Sequence, residues 1–242
     1  MLESSHTFSL QVNYGARMPL STTPVLQILL ENYGIREWYA RRDPVSELVF
    51  TILTQNTSDA NAFRAFDSLT SSFKNWTEIA NADEADIAKL IKFGGLSNVK
   101  APRIKKILQQ LPENEGRISL SFLEEMQLEE AKIWLTSLDG VGPKTAACVL
   151  LFSFGKPAMP VDTHVFRVAK RLNLIDENVT VDQAHPLLEQ AVGPENVYNF
   201  HISMIEHGRR ICHARTPNCT QCFLNNICPS KRSNQRSVRE SS

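Results

Sequence analysis

No run in these 242 residues approaches the apolar length needed to span a membrane, so a water-soluble chain is expected. Nothing at the N-terminus reads as a secretory leader either. His6, Asn13 and Arg17 interrupt residues 1–20 before an apolar core of sufficient length can form. Export, and the disulfide chemistry that goes with it, is therefore not expected, although five cysteines are present. There are no internal repeats and no convincing strand. The weak alternation of His6, Phe8, Leu10, Val12 and Tyr14 with polar neighbours predicts only an extended, flexible arm over residues 1–22. No charge of one sign dominates: 26 Lys and Arg balance 26 Asp and Glu. Bulk charge thus gives no reason to expect a nucleic-acid partner.

The charge is nevertheless segregated. Between Ile91 and Leu111 the basic residues Lys92, Lys100, Arg103, Lys105 and Lys106 meet no acidic residue. From His201 onward Arg209, Arg210, Arg215, Lys231, Arg232, Arg236 and Arg239 outweigh Glu206 and Glu240. Acid is pooled elsewhere, notably at Glu124, Glu125, Glu129 and Glu130. A neutral molecule can then carry a basic face.

What fills the chain is helix after helix, and the fold class expected is all-α. Asp43-Pro44 opens one helix with a cap before a first-turn proline, and Val45, Leu48, Val49, Ile52 and Leu53 follow at helical spacing. Ala62, Phe63, Phe66 and Leu69 mark the next, and Ile87, Leu90 and Ile91 another that stops at Gly94-Gly95. Ile104, Ile107, Leu108 and Leu111 make a further stripe. Ser121-x-x-Glu124 and Thr180-x-x-Gln183 both read as capping boxes. Residues 146–154 are apolar almost all round, which predicts a buried central helix with Cys148 as a small core residue. The tail over 230–242 is polar and basic, and disorder is expected there.

Three constellations carry chemistry. Cys212, Cys219, Cys222 and Cys228 are spaced C-x6-C-x2-C-x5-C, with Pro229 after the last. Four thiolates on one loop suit one tetrahedral metal ion or one iron–sulfur cube. The second is the string L-D-G-V-G-P-K-T-A from Leu138 to Ala146. Gly140, Val141 and Gly142 precede a helix opened by Pro143, and the free N–H groups of a helix start bind phosphate without reading base sequence. Lys144 falls in the first turn, where the helix dipole and partial burial favour a free amine, a nucleophile able to form a Schiff base with a sugar aldehyde. An exposed lysine touching a phosphate is the plainer alternative. The third is V-D-T-H-V-F-R from Val161 to Arg167. Asp162 caps the helix that follows, and a carboxylate fixed in that way can also stabilise a cationic sugar.

In this order and at these separations, the three constellations resemble endonuclease III, a family of helix–hairpin–helix DNA glycosylases. The resemblance covers roughly Pro24 to Pro229. It implies two all-α lobes: a six-helix barrel with the hairpin over 43–155, and a discontinuous lobe over 23–42 and 156–229 that holds a 4Fe–4S cluster on the four cysteines. It further implies that Lys144 attacks the sugar and that Asp162 is the essential carboxylate, the pair straddling the groove between the lobes. Gln55-Asn56 and Leu96 occupy the positions that fill the gap left by a flipped base, and Lys105, Lys106 and Arg215 join the hairpin as DNA contacts. Asn56 aligns with the family's glutamine and leaves Gln55 one place early, while Asp139 stands where proline is usual. The implied partner is double-stranded DNA with damaged bases or abasic sites, bound by a monomer in a prokaryotic cytoplasm or in a eukaryotic nucleus or organelle. The implied activity is release of damaged, oxidised pyrimidines with strand nicking by β-elimination. A monofunctional glycosylase acting on T or U opposite G would lack the lysine. A non-catalytic iron–sulfur DNA-binding protein would lack Lys144 or Asp162.

Overall fold

The computed structural model describes residues 20–114 and 116–231. Among these residues there are eleven α-helices: α1 (Thr22–Tyr33), α2 (Pro44–Leu53), α3 (Asp59–Ser72), α4 (Trp76–Asn81), α5 (Glu84–Leu90), α6 (Ser97–Gln110), α7 (Leu128–Thr136), α8 (Pro143–Phe154), α9 (Thr163–Arg171), α10 (Val181–Val192) and α11 (Val197–Arg210). No described helix is long and apolar enough to cross a membrane. Residues 1–19 of the expected N-terminal arm and nearly all of the expected tail lie outside the described residues, while Thr22, placed in that arm, opens α1.

Local chemistry explains most of the starts. Asp43 accepts from Ser46 N at 3.0 Å with Pro44 behind it, and Ser58 and Asn75 cap α3 and α4 in the same way. Thr180 and Gln183 form the expected reciprocal box at α10. The other expected box does not form. Ser121 is already the first residue of a short 3₁₀ turn, and its N–H is taken by Ser119 Oγ instead. One antiparallel ladder of two residues a side, Glu113–Asn114 with Arg117–Ile118, is the extended pairing that the sequence did not signal. The α6 helix also begins well before the Ile104 stripe and runs through Pro102. Burial of Ala101, Ile104, Ile107 and Leu108 along one face offsets the bond that proline removes.

Apolar side chains gather into two cores. One is built from α2 to α8, with Leu48, Ile52, Leu69, Ile87, Ile104 and Leu135 fully enclosed. The other joins α1 to α9, α10 and α11 through Val25, Leu29, Val165, Leu188 and Phe200. Helix α8 is the wall they share: Ala146, Val149 and Leu150 face the first core, and Cys148, Leu151 and Phe152 face the second. That double burial is why α8 is apolar all round. It also places the start of α8 at the junction of the two cores.

Candidate active site and nucleic-acid interface

The junction carries Lys144. It is the second residue of α8, half-buried, and among the described residues its amine has no hydrogen-bond or ion-pair partner. Before it the hairpin turns on Val141, which is buried and donates to Leu138 O at 3.0 Å. Of the two glycines, Gly140 alone needs its special backbone freedom, with φ of 85°. A Cβ there would lie 2.8 Å from Arg103 Cδ and Nε. Gly142 has an extended backbone (φ −91°, ψ 177°) that any residue adopts, and a Cβ would meet nothing within 4 Å. Its value is different: with no side chain to cap α8, it leaves the first N–H groups of that helix open to a phosphate oxygen.

Asp162 is the N-cap of α9, and its Oδ1 accepts from His164 N at 2.9 Å and Val165 N at 2.8 Å. Oδ2 makes no hydrogen bond among the described residues. The extended segment in front of it is held by side chains from α10 and α11. Glu189 Oε2 accepts from Met159 N at 2.9 Å, and Met159 O and Pro160 O each accept an imidazole Nδ1–H, from His185 and His201, at 2.8 Å. A carbonyl can only accept, so both rings carry their proton on Nδ1. The 3.3 Å approach of Val161 N to His185 Nδ1 is then a contact rather than a bond.

Lys144 and Asp162 both lie within electrostatic reach of the same two buried groups, Cys148 and His201. Burial pushes His201 down to about 4; Asp162 pulls it up, and Arg41 and Lys144 press it down. A histidine depressed in this way contributes full stability above its ordinary value of about 6.5 and loses it as pH falls towards the folded value. The thermal midpoint should therefore drop between about pH 6.5 and 4, and His201→Asn, which keeps a donor near the Nδ1 position, should flatten part of that slope. Unfolding scans across this range check it.

Of the two segments expected to probe DNA, the Gln55–Asn56 turn is linked to the hairpin through Arg103, and the Leu96 loop to the end of α2 through Lys100. Asn56 and Leu96 are exposed, whereas Gln55 is half-buried and held back by Arg103, whose Nη1 donates to Gln55 Oε1 at 3.2 Å. Arg103 thereby touches both the hairpin glycine and the Gln55 turn. Lys106, one turn further along α6, pairs with Asp139 at 2.5 Å, and this holds the aspartate carboxyl below the usual range. The pairing answers the departure from proline: the acid beside the hairpin is matched by a lysine from α6. Asp139→Asn should raise affinity for undamaged duplex a few-fold and Lys106→Ala should lower it, on the scale of one exposed charge in titrations at fixed salt. Lys105 is half-buried and Arg215 is exposed on the cysteine loop. Lys100 does not belong to the basic face: it is 2% exposed, with its ammonium turned onto Leu53 O and Gly94 O.

The four cysteines follow α11. Cys212 N binds His207 O, Cys219 opens a 3₁₀ turn that Cys222 closes, and Cys228 N binds Leu224 O. Leu224, fully buried, pins the loop to the second core. All four thiols are half-buried, unbridged, and line one pocket floored by Val168 and Leu172. Arg171 reaches in from α9 to donate to Cys212 Sγ at 3.2 Å and to the carbonyls of His213 and Ala214. His207 Nε2 lies 3.6 Å from Cys222 Sγ. Four thiolates around a lone zinc sit roughly 3.8 Å apart. Among the described residues no three such ligands converge closely enough for one metal ion. Sulfurs ringing a pocket instead suit a cube that presents a separate iron to each thiolate, and the donor set fits that cluster.

Sequence reasoning missed Lys100, Arg103, His185, His201 and Glu189. Lys100 carried a signal: with Ile104, Ile107 and Leu111 it falls on the apolar stripe of α6, where a lysine must be buried. His201 likewise shares the buried face of α11 with Val197, Phe200 and Met204.

Residues 49–194 match the family model of HhH-GPD superfamily base excision DNA repair proteins, and residues 212–228 match the iron–sulfur binding domain of endonuclease III. A protein of Arabidopsis thaliana is 38% identical over 165 residues, 68% of this chain, and this chain spans 56% of that relative's length. Endonuclease III of Thermotoga maritima is 38% identical over 187 residues, 77% of this chain and 83% of the relative. A solved structure of a trapped endonuclease III–DNA covalent intermediate superposes with a TM-score of 0.73 at 26% identity, covering 88% of this chain and 97% of that one.

Proposed function

Because the chain belongs to the HhH-GPD superfamily of base excision DNA repair proteins, and within it to the endonuclease III family, we propose that it is a bifunctional DNA glycosylase and AP lyase. Its substrate would be duplex DNA carrying oxidised pyrimidines or abasic sites, bound by a single chain. The observation that carries the reading is an unpartnered amine on the first turn of α8, sharing its surroundings with a carboxylate fixed on the cap of α9.

The open N–H groups at Gly142 and the hairpin take a phosphate, and Lys106 cancels the charge of Asp139 beside it. The damaged nucleotide leaves the stack, and Asn56 and Leu96 enter the gap. The Lys144 nitrogen attacks C1′ and sheds a proton as the bond forms. The N-glycosidic bond breaks as the base departs with its electron pair and takes up a proton. Asp162, charged and immobile, stabilises the cationic sugar through its free Oδ2 and accepts or returns protons. Opening of the sugar ring leaves an imine between Lys144 and C1′, which acidifies C2′. Loss of a C2′ proton then expels the 3′ phosphate, and hydrolysis of the imine frees the lysine. The iron–sulfur cluster, when bound by Cys212, Cys219, Cys222 and Cys228, supplies a structural crosslink for the loop that carries Arg215.

The test is a panel of duplexes carrying thymine glycol, dihydrouracil, uracil or thymine opposite guanine, 5-methylcytosine, or an abasic site, incubated with and without borohydride. Nicking and a trapped adduct are expected with the oxidised pyrimidines and the abasic site. Base release without nicking would assign a monofunctional enzyme, and binding without release a non-catalytic protein.

A further inference from the structure

Three non-glycine residues among those described hold a left-handed backbone: Asn56 (φ 54°), Leu96 (φ 50°) and Asn173 (φ 55°). Asparagine tolerates that region, and leucine does not. Two of the three are the residues assigned above to the gap left by a flipped base. Strain of this kind persists only where the surroundings over-determine it.

Lys100 is the group that does so. Its Nζ donates to Leu53 O at 2.8 Å and to Gly94 O at 2.7 Å. Leu53 is the last residue of α2, immediately before the turn of Gln55 and Asn56. Gly94 lies two residues before Leu96, and Lys100 N also takes Leu96 O at 2.9 Å. One residue therefore grips both segments. No carboxylate pairs with it among the described residues, and burial pulls its pKa down. The stripe of Ala101, Ile104 and Ile107 would accept a methionine there without burying a cation. What a methionine could not do is bond two carbonyls that end two different loops.

We infer that Lys100 is a positioning residue that locks the Gln55–Asn56 turn and the Leu96 loop into one rigid wedge, so that both enter the duplex together when a base is turned out. The inference rests on the proposed reading of those two segments as DNA-probing.

The test compares single-turnover base release from a duplex with the lesion fully paired and from the same lesion inside a mismatched bubble, where little helix remains to be opened. Lys100→Met should slow release from the paired duplex by about 10-fold or more and from the bubble by no more than about 3-fold. Lys100→Arg, which keeps its donors, should restore most of the paired rate. An Asn56→Ala/Leu96→Ala double variant should show the same split, and adding Lys100→Met to it should cost less than about 2-fold further. Equal losses on both substrates, or losses that multiply in the triple variant, would mean that the lysine only supports the fold and would overturn the inference. A double variant with normal paired activity would overturn it as well, since the loops would then do no opening. Should methionine not fold, Lys100→Gln serves: its amide meets at most one of the two carbonyls, and the same split is required of it. A wild-type protein that releases no base from either substrate would instead sink the glycosylase reading itself.

Discussion

Lys144→Gln is expected to abolish the borohydride-trapped adduct and to slow strand nicking by on the order of 10³-fold or more, while leaving affinity for an abasic-site duplex nearly intact. Glutamine keeps a polar side chain one atom shorter, and removes the nucleophilic amine together with its charge. The proposed phosphate site should survive, because it draws on backbone N–H groups at Gly142 and on a turn held by Val141 and Gly140, none of which depends on the lysine. The packing of α8 should survive too, since its buried faces lie on other residues, from Thr145 to Phe152. Gel-resolved adduct and nick, beside binding titrations, check the separation. A glutamine variant that still nicks and still traps would place the nucleophile on another amine and move the site.

Asp162→Asn is expected to cut turnover by roughly 10²–10⁴-fold with only a small change in stability. The substitution is chosen because asparagine caps a helix about as well as aspartate. It can keep accepting from His164 N and Val165 N through its amide oxygen, so α9 should still start at Thr163. What it lacks is the negative charge and the free carboxylate oxygen. Asp162→Ala removes both roles, and should add about 1 kcal/mol of destabilisation to the same catalytic loss. The two variants together separate the cap from the chemistry: an asparagine variant with full turnover and an alanine variant that merely melts early would leave Asp162 as a cap alone.

The helices and the chemistry-bearing residues were legible because their signals are local. Asp43-Pro44, Thr180 with Gln183, and the apolar run of α8 each announce a helix within a few residues, and the cysteine spacing announces its loop unaided. What could not be read depends on residues far apart in the chain. Arg103 meets Gln55 and Gly140, Lys106 meets Asp139, and His201 meets Pro160, and none of these pairs has a sequence offset that marks it. The basic run in α6 read as one solvated face. In the fold it divides: Lys100 turns inward, Arg103 lies across the hairpin, and Lys106 answers an acid. Its helical spacing with Ile104 and Ile107 would have marked Lys100 as inward-facing, but charge counting grouped it with the basic face. The capping box at Ser121 failed for a related reason, since the short segment closes as a 3₁₀ turn before a serine cap has a full helix to serve.

The interleaving of the two cores also sets an order of events during synthesis. Helix α1 is made early, yet its partners are α10 and α11: Thr22 bonds Ala191 across a sequence separation of 169. At about 5–20 residues per second, a ribosome needs roughly 10–30 s to supply them. For that interval Val25, Leu26 and Leu29 have no core to join, while α2 to α8 can close among themselves. The cysteine loop follows α11, so its four thiols are also made only after α2 to α8 are complete. Newborn chains are thus expected to be most open to proteolysis at α1, over the interval before α10 and α11 emerge to cover it.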